Sequence, residues 1–461
     1  MTKQNPFKLL PLSLALALVP ALASAEDLIQ IYDQARQNDA VLAGAEAQRL
    51  ATHEGVTQAT SQLLPQIGAS LSYTDRSHDK YSAGIDPREN PPEFKFGTDY
   101  VDSKGTTLGG ELKQSIIDLS KWTARKAAQE QANRGDALYT QAEQELSIRV
   151  ATAYFNVLTA EDSLAFSQAE EKALSRQLDQ AQQRFEVGLS AITDVNEAKA
   201  QHDSARAATI NAQNALDDAR EALRELTAKE PANLSRLRED LPLQEPVPND
   251  MQAWVDRALA DNPSLKAQEH AVSAAKANIN TARSGHLPTL SGSIAYSRSP
   301  NWSDSSATGA SGSLHANSRD TDRAVTLTLS VPIFTGGYTQ SRVRQSVYER
   351  DFAEDTLEQQ KRALIRNTRL NFRAVVAGIS EVEARKQAVV SANSALEATQ
   401  AGFEVGTRTI VDVLLSQRQL YQAQRDYSQA RHNFVLNQLR LRQSAGSISP
   451  KDLQEVNALL Q

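Results

Sequence analysis

Apolar residues recur at helical spacing over most of the chain. The segments run from Asp27 to about Gln62, Leu119 to about Glu186 and Ile192 to about Ala228, then Met251 to about Arg283, Thr339 to about Glu404 and Ile410 to about Ser444. The last of them is the most regular. Val413, Leu420, Tyr427, Phe434 and Leu441 follow one another every seven residues, with Ser416, Ala423, Ala430, Asn437 and Ser444 three places on. Its counterpart has Val195, His202, Thr209, Leu216 and Leu223, followed at the same offset by Ala198, Ala205, Ala212, Ala219 and Leu226. A repeat of seven sustained this long predicts left-handed coiled coils, and small residues along one seam let the backbones approach closely. The segment from Leu119 is long enough to run about 100 Å as a helix, and its two flanking segments are each about half of that. Two short helices stacked end to end can therefore lie beside one long one.

Between the helical segments the period changes from seven to two. Ile67, Ala69, Leu71 and Tyr73 alternate with Gly68, Ser70, Ser72 and Thr74, and Leu108, Gly110, Leu112, Gln114 and Ile116 alternate with polar or small residues. Leu290, Gly292, Ile294 and Tyr296 do the same, as do Val325, Leu327, Leu329 and Val331 around Thr326, Thr328 and Ser330. Four strands of about ten residues are predicted, apolar on one face and small and hydroxylated on the other, which suits lipid outside and water inside. Pro65, Pro288 and Pro332 mark the junctions with the helices, where proline blocks helical continuation. The segments Tyr81 to Asp99 and Trp302 to Arg319, rich in Gly, Ser, Asp, Asn and Pro, read as exposed loops.

The whole pattern occurs twice. Arg184 to Val195 recurs as Gly402 to Val413, and Ser61 to Tyr73 recurs as Ser284 to Tyr296, in the same order and at nearly the same separation. A period this long is a duplicated half, and not a solenoid of short units. The predicted organisation is a signal peptide at 1–25, a first structural repeat at 26–229, a linker at 230–250 with Pro231, Pro242, Pro246 and Pro248, a second repeat at 251–445, and a polar tail at 446–461 expected near that linker. Gly188 and Gly406 are the expected tip turns, where glycine supplies the conformation that ends a helix.

Composition narrows the function. Lys3 and Lys8, the apolar run Leu9 to Val19 and Ala23-Ser24-Ala25 make an export signal too short to anchor in a membrane. Nothing later reaches spanning length, so any crossing of a membrane must use strands. The absence of cysteine excludes disulfides, thiolate metal sites and N-terminal lipidation. A net charge of −7 spread along the chain argues against nucleic acid as a partner. His53, His78, His202, His270, His286, His315 and His432 are scattered without ligand spacing, so no metal, cofactor or catalytic constellation is expected. The basic run Lys361, Arg362, Arg366, Arg369 and Arg373 reads as a solvated helix face, with contact to a partner as the sharper alternative. Four strands cannot close a membrane barrel, the smallest of which have eight, and an open edge in lipid is costly. The chain must associate with copies of itself, and a lumen requires more than two.

The helix-to-strand junctions Leu63–Gly68 and His286–Leu290 carry a resemblance to the TolC family of trimeric outer-membrane exit ducts. So do the passages Leu112–Trp122 and Leu329–Gly337 and the tips around Gly188 and Gly406. The match runs in order from the mature N-terminus to about Leu460. It implies a mixed α+β membrane protein, with a twelve-stranded transmembrane β-barrel shared by three chains and continuous with a twelve-helix periplasmic α-barrel. It implies passive export from a Gram-negative cell as part of tripartite efflux pumps or type I secretion, with a periplasmic adaptor and an inner-membrane efflux or ABC transporter as partners. An aspartate at Asp412 is implied to narrow the pore, and Arg408 to tie the inner coil to Thr193 and Asp194 of a neighbouring chain. Two departures stand out: Leu415 replaces a second pore-facing acid, and Phe403 replaces a tyrosine that bonds towards the position of Asp194. The alternatives are a periplasmic adaptor or coiled-coil scaffold, which would lack two mirrored strand pairs, and a periplasmic enzyme, for which the residues are missing.

Overall fold

A computed structural model describes residues 26–86, 91, 93–231, 233–307 and 314–461; the expected signal peptide at 1–25 lies outside them. The elements in chain order are α1 (Leu28–Asn38), α2 (Ala40–Ser61), β1 (Gln66–Asp86), β2 (Glu93–Ile117), α3 (Leu119–Glu186) and α4 (Ile192–Thr227). There follow α5 (Met251–Asp261), α6 (Pro263–Ser284), β3 (Thr289–Ala307), β4 (Leu314–Ser330), α7 (Tyr338–Glu404), α8 (Ile410–Ser444) and α9 (Pro450–Asn457). The order helix, helix, strand, strand, long helix, helix thus occurs twice before the tail. The chain separates into two compact units, one of Val41–Glu143 and Val255–Thr368, the other of the remaining described residues.

In the first unit the four strands form one antiparallel meander in the order β1-β2-β3-β4. The β2–β3 pairing, Leu112 against Ile294 and Gly110 against Tyr296, carries the sheet across the two halves. Residues 67, 69, 71 and 73, Leu112 and Leu108, Ile294 and Tyr296, and Val325 and Leu327 all fall on one face, because directly paired residues point the same way. Among the described residues, β1 and β4 each present an edge with no paired strand.

The strands are 21, 25, 19 and 17 residues long, not about ten. The segments read as loops are largely paired strand, out to Asp86 against Glu93 and Ser305 against Leu314. Only the lower part of each strand needs an apolar face. Beyond it the backbone ladder continues through a mixture of polar residues and scattered aromatics such as Tyr81, Phe94 and Phe96, because its hydrogen bonds do not depend on the side chains.

Side-chain bonds link the helices of this unit in the same order as the strands. Thr60 Oγ1 accepts from Arg125 at 3.1 Å and His53 meets Asp136 at 2.9 Å, joining α2 to α3. His270 meets Glu130 at 2.8 Å and Thr281 donates to Thr123 at 2.9 Å, joining α6 to α3. Lys276 pairs with Glu354 at 3.0 Å, joining α6 to α7. Gly135 permits the close approach of α2, since a Cβ there would lie 2.4 Å from Thr52 Oγ1.

In the second unit the start of the described chain, the linker and the tail join. Glu26 N–H donates to Asn233 O at 2.8 Å and Ser235 N–H donates to Glu26 O at 3.1 Å. Arg236 and Gln461 exchange backbone bonds of 2.9 and 2.8 Å, so the tail does lie against the linker. Buried Tyr154 donates to Ser235 O at 2.7 Å, and Trp254 Nε1 donates to Pro248 O at 2.8 Å. Trp254 packs with Phe372, Val375, Phe434 and Leu441. Along α8 the seam residues Val413, Leu420, Phe434 and Leu441 are buried, as are Val195, Ala198, Ala205, Ala212, Leu216, Leu223 and Leu226 along α4.

The expected helices Asp27–Gln62 and Met251–Arg283 are each broken in two. The second break is Asn262-Pro263, where Asn262 Oδ1 accepts from the N–H groups of Ser264 and Leu265. The first is Asp39, whose backbone turns extended while its buried carboxylate receives both guanidinium nitrogens of Arg149 at 2.9 and 2.7 Å. Truncating Arg149 removes both of these charge-assisted bonds from a buried carboxylate. Arg149→Met is expected to destabilise the assembled protein by about 3 kcal/mol, read in a denaturation midpoint, with Asp39→Asn/Arg149→Met recovering part of the loss.

Candidate functional site

The two tips are built alike but finished differently. After α3, Gly188 (φ +75°) lets Leu189 N–H donate back to Arg184 O at 2.7 Å. After α7, Gly406 (φ +78°) lets Thr407 and Arg408 N–H donate to Gly402 O at 2.8 and 3.1 Å. These backbone bonds satisfy carbonyls left over at a helix end. Gly402 has a further role that its spacing in the sequence did not reveal. A Cβ there would stand 2.7 Å from Arg408 Cγ, so glycine lets the arginine stem lie against the helix end.

The helices that follow start in different ways. α8 begins with a capping box in which Asp412 accepts from Thr409 N–H and Thr409 Oγ1, both at 2.9 Å, and Asp412 N–H donates to Thr409 Oγ1 at 3.3 Å. These bonds, with Arg408 nearby, hold the Asp412 carboxyl below its ordinary range, so it carries its charge throughout the physiological pH range. α4 has no such box: its N-cap is Ala191, and Asp194 instead accepts from Ser190 Oγ at 2.6 Å. Thr193 and Arg408 are exposed, and among the described residues the Arg408 guanidinium has no hydrogen bond or ion pair. Leu415, one turn beyond Asp412, is exposed.

Phe403 connects the tips. It packs against two buried clusters, one containing Leu174, Ala181, Val195 and Ile410 and the other Leu396, Val413 and Leu420, with the Arg184 guanidinium 5.0 Å from its ring centre. Further along, Arg425 pairs with buried Glu170 at 2.9 Å and Arg385 with Asp426 at 2.7 Å, tying α8 to both α3 and α7. In the basic run, Arg362 is paired with Glu358 on its own helix at 2.8 Å.

His432 lies off the seven-residue seam, which is why spacing did not flag it. It is buried beside Phe155, with Nδ1 2.8 Å from Thr159 Oγ1. Thr159 already donates its one hydroxyl proton to Phe155 O at 2.7 Å, so Nδ1–H must be the donor to Thr159. Burial pushes the His432 pKa down to about 4, against an opposing pull from Asp162. The unfolded chain therefore binds a proton more readily than the folded one. This contribution to stability is complete above pH 6.5 and is lost progressively as pH falls towards about 4. His432→Gln is expected to flatten the fall in denaturation midpoint over that window. Among the described residues no group of three His, Asp or Glu is placed to hold a metal ion.

Residues 31–229 and 254–447 match the family model described as outer membrane efflux protein. The chain is 39% identical to the outer membrane protein TolC of Vibrio cholerae serotype O1, over 98% of each chain. It is 27% identical to the alkaline protease secretion protein AprF of Pseudomonas aeruginosa, over 95% of this chain and 88% of that one. The crystal structure of the outer membrane protein VceC from Vibrio cholerae superposes with a TM-score of 0.72 at 18% identity, covering 91% of this chain and 96% of the other, a likeness of fold.

Proposed function

The chain belongs to the outer membrane efflux protein family, and from that membership we propose how it assembles and opens. It is an outer-membrane duct for efflux and type I secretion, located in the outer membrane of a Gram-negative bacterium. Three chains join β4 of one to β1 of the next, making a barrel of twelve strands around a lumen. The helices of the three chains continue it as a twelve-helix α-barrel in the periplasm. Residues 26–229 and 251–445 act as equivalent halves, and the linker with the 446–461 tail forms a belt. The single observation that carries this reading is the four-stranded sheet with one apolar face and two unpaired edges. An edge exposed to lipid leaves its outward-pointing N–H and C=O groups without partners, and a further copy of the same sheet satisfies them. Membrane fractionation tests it: the chain should migrate as an SDS-resistant, heat-sensitive trimer from the outer membrane, and a soluble periplasmic monomer would refute it.

The duct supplies no energy. An inner-membrane transporter drives export and a periplasmic adaptor docks on the helices. The resting state is closed at the tips, where Arg408 reaches Thr193 and Asp194 of the neighbouring chain. Two features support this: among the described residues the Arg408 guanidinium has no hydrogen bond or ion pair, and the Asp194 carboxylate bonds only to the nearby Ser190 hydroxyl. Phe403 fixes the height of the tip, and Gly188 and Gly406 its turns.

Asp412 from three chains forms one anionic ring at the entrance. Multivalent cations added from the periplasmic side should reduce single-channel conductance, and Asp412→Asn should abolish the effect. The capped carboxylate stays ionised in mild acid, so the block should be as strong at pH 5 as at pH 7. With Leu415 in the next turn, a duct carrying a second acidic ring should bind the same cation more tightly. Unchanged block in Asp412→Asn would remove this residue from the constriction.

A further inference from the structure

The apolar face of the sheet does not end in neutral residues on β3 and β4. Above Val325, Leu327 and Leu329 the same face of β4 carries Arg323, Thr321 and Arg319. On β3 the residues paired with them are Tyr296, Arg298 and Pro300. Arg298 stands opposite Thr321, midway between the two β4 arginines. Same-face residues on a strand are about 7 Å apart and diagonal neighbours about 8 Å, so the three side chains form one triangle. Among the described residues none of the three has a carboxylate within ion-pair distance. Arg323 lies over the Tyr296 ring, 5.9 Å from its centre. The nearest basic neighbour, Lys104, is already paired with Asp75 at 3.6 Å. Asp304, the carboxylate on this face of β3, is three same-face steps beyond Arg298, or roughly 20 Å. Asp320 and Asp322 point to the opposite face. Trp302, on the same face as Arg298, is exposed.

Three unpaired guanidiniums at the rim of a lipid-facing belt attract phosphate, which they can grip in bidentate fashion. Tyr296 and Trp302 flank them with flat faces suited to sugar rings. We propose that Arg298, Arg319 and Arg323 form a binding site for a multiply phosphorylated glycolipid of the outer leaflet. The site rests on the duct reading, which puts the hairpin ends of the strands on the outer side of the membrane. A bound glycolipid covers the outer surface of β3 and β4, next to the seam with the neighbouring chain.

The test uses wild-type and R298Q/R319Q/R323Q trimers of the full chain. Each is reconstituted in phosphatidylcholine vesicles doped with lipopolysaccharide or with phosphatidylglycerol. Lipid retained per trimer after detergent extraction is counted by native mass spectrometry, and channel activity is recorded on the same samples. The wild type should retain lipopolysaccharide and the variant about a hundredfold less, roughly fivefold per arginine, with conductance unchanged. Phosphatidylglycerol should stay at background, and millimolar inorganic phosphate should not displace the glycolipid. Equal retention by the variant, equal binding of phosphatidylglycerol, or displacement by inorganic phosphate overturns the site. So does dissociation of variant trimers in glycolipid-free detergent, which would make the arginines partners of the neighbour's β1. Wild-type trimers that form no channel overturn the duct reading itself, an outcome distinct from a working channel with unselective retention.

Discussion

Trimers carrying Arg408→Ser will conduct far more current than wild-type trimers and will admit large antibiotics that the outer membrane excludes. A charge-assisted bond from arginine to a carboxylate contributes about 1.5–3 kcal/mol when shielded from water. Arg408 is exposed within one chain, so a loss of about 1 kcal/mol per chain is the conservative expectation. In a concerted opening three chains lose it together, and about 3 kcal/mol shifts the equilibrium more than a hundredfold. Gly402 bears on the same bond, because an alanine there pushes into the Arg408 stem; Gly402→Ala should open the channel in the same direction but less. Phe403→Tyr should do the reverse. Its ring is already positioned by Leu396, Val413 and the Arg184 guanidinium, so a hydroxyl added at the rim can reach towards Asp194 of the neighbouring chain. Single-channel recording checks all three variants. Arg408→Ser trimers that assemble normally yet conduct like wild type would place the closed state elsewhere.

Arginine at Leu327 and arginine at Thr328 should differ in effect although the residues adjoin. Leu327 lies between Val325 and Leu329 on the apolar face, and Thr328 points to the other side. A charge at a lipid-facing position near the membrane midplane costs about 2–4 kcal/mol, whereas a lumen-facing one meets water. Three chains carry the change in each barrel. Leu327→Arg should therefore deplete the outer membrane of assembled trimer, and Thr328→Arg should leave assembly near wild type and alter only ion selectivity. Heat-sensitive trimer bands on gels give the comparison. Equal tolerance at the two positions would overturn the assignment of the faces.

Much of this architecture was readable from periodicity. The seven-residue seam through Val413, Leu420, Phe434 and Leu441 gave α8, and the alternation at Val325 to Val331 gave the apolar end of β4. The strands proved longer because apolar alternation reports only where one face of the sheet is apolar. From Asp75 outwards β1 is polar on both faces for several residues, yet its ladder to β2 continues to Asp86. The break at Asn262-Pro263 was written in the sequence as a cap followed by proline. That at Asp39 was not, since its cause is Arg149, 110 positions away in the chain. At the tips Gly188, Gly406 and Asp412 were visible as motifs. The contact of Gly402 with Arg408 and the packing of Phe403 against two clusters arise only once the turn folds and the helices pair. The arginine triangle was hidden for a similar reason: Arg298 and Arg319 become neighbours only through the β3–β4 register.

Electron cryo-microscopy of the purified chain in lipid nanodiscs tests the central claim most directly. The account predicts a three-fold particle whose barrel closes with twelve strands, β4 of each chain paired to β1 of the next, and whose tips are drawn together with Arg408 against Thr193 and Asp194 of the adjacent chain. A particle of another symmetry, a sheet closed within one chain, or an Arg408 that faces only its own chain would contradict it.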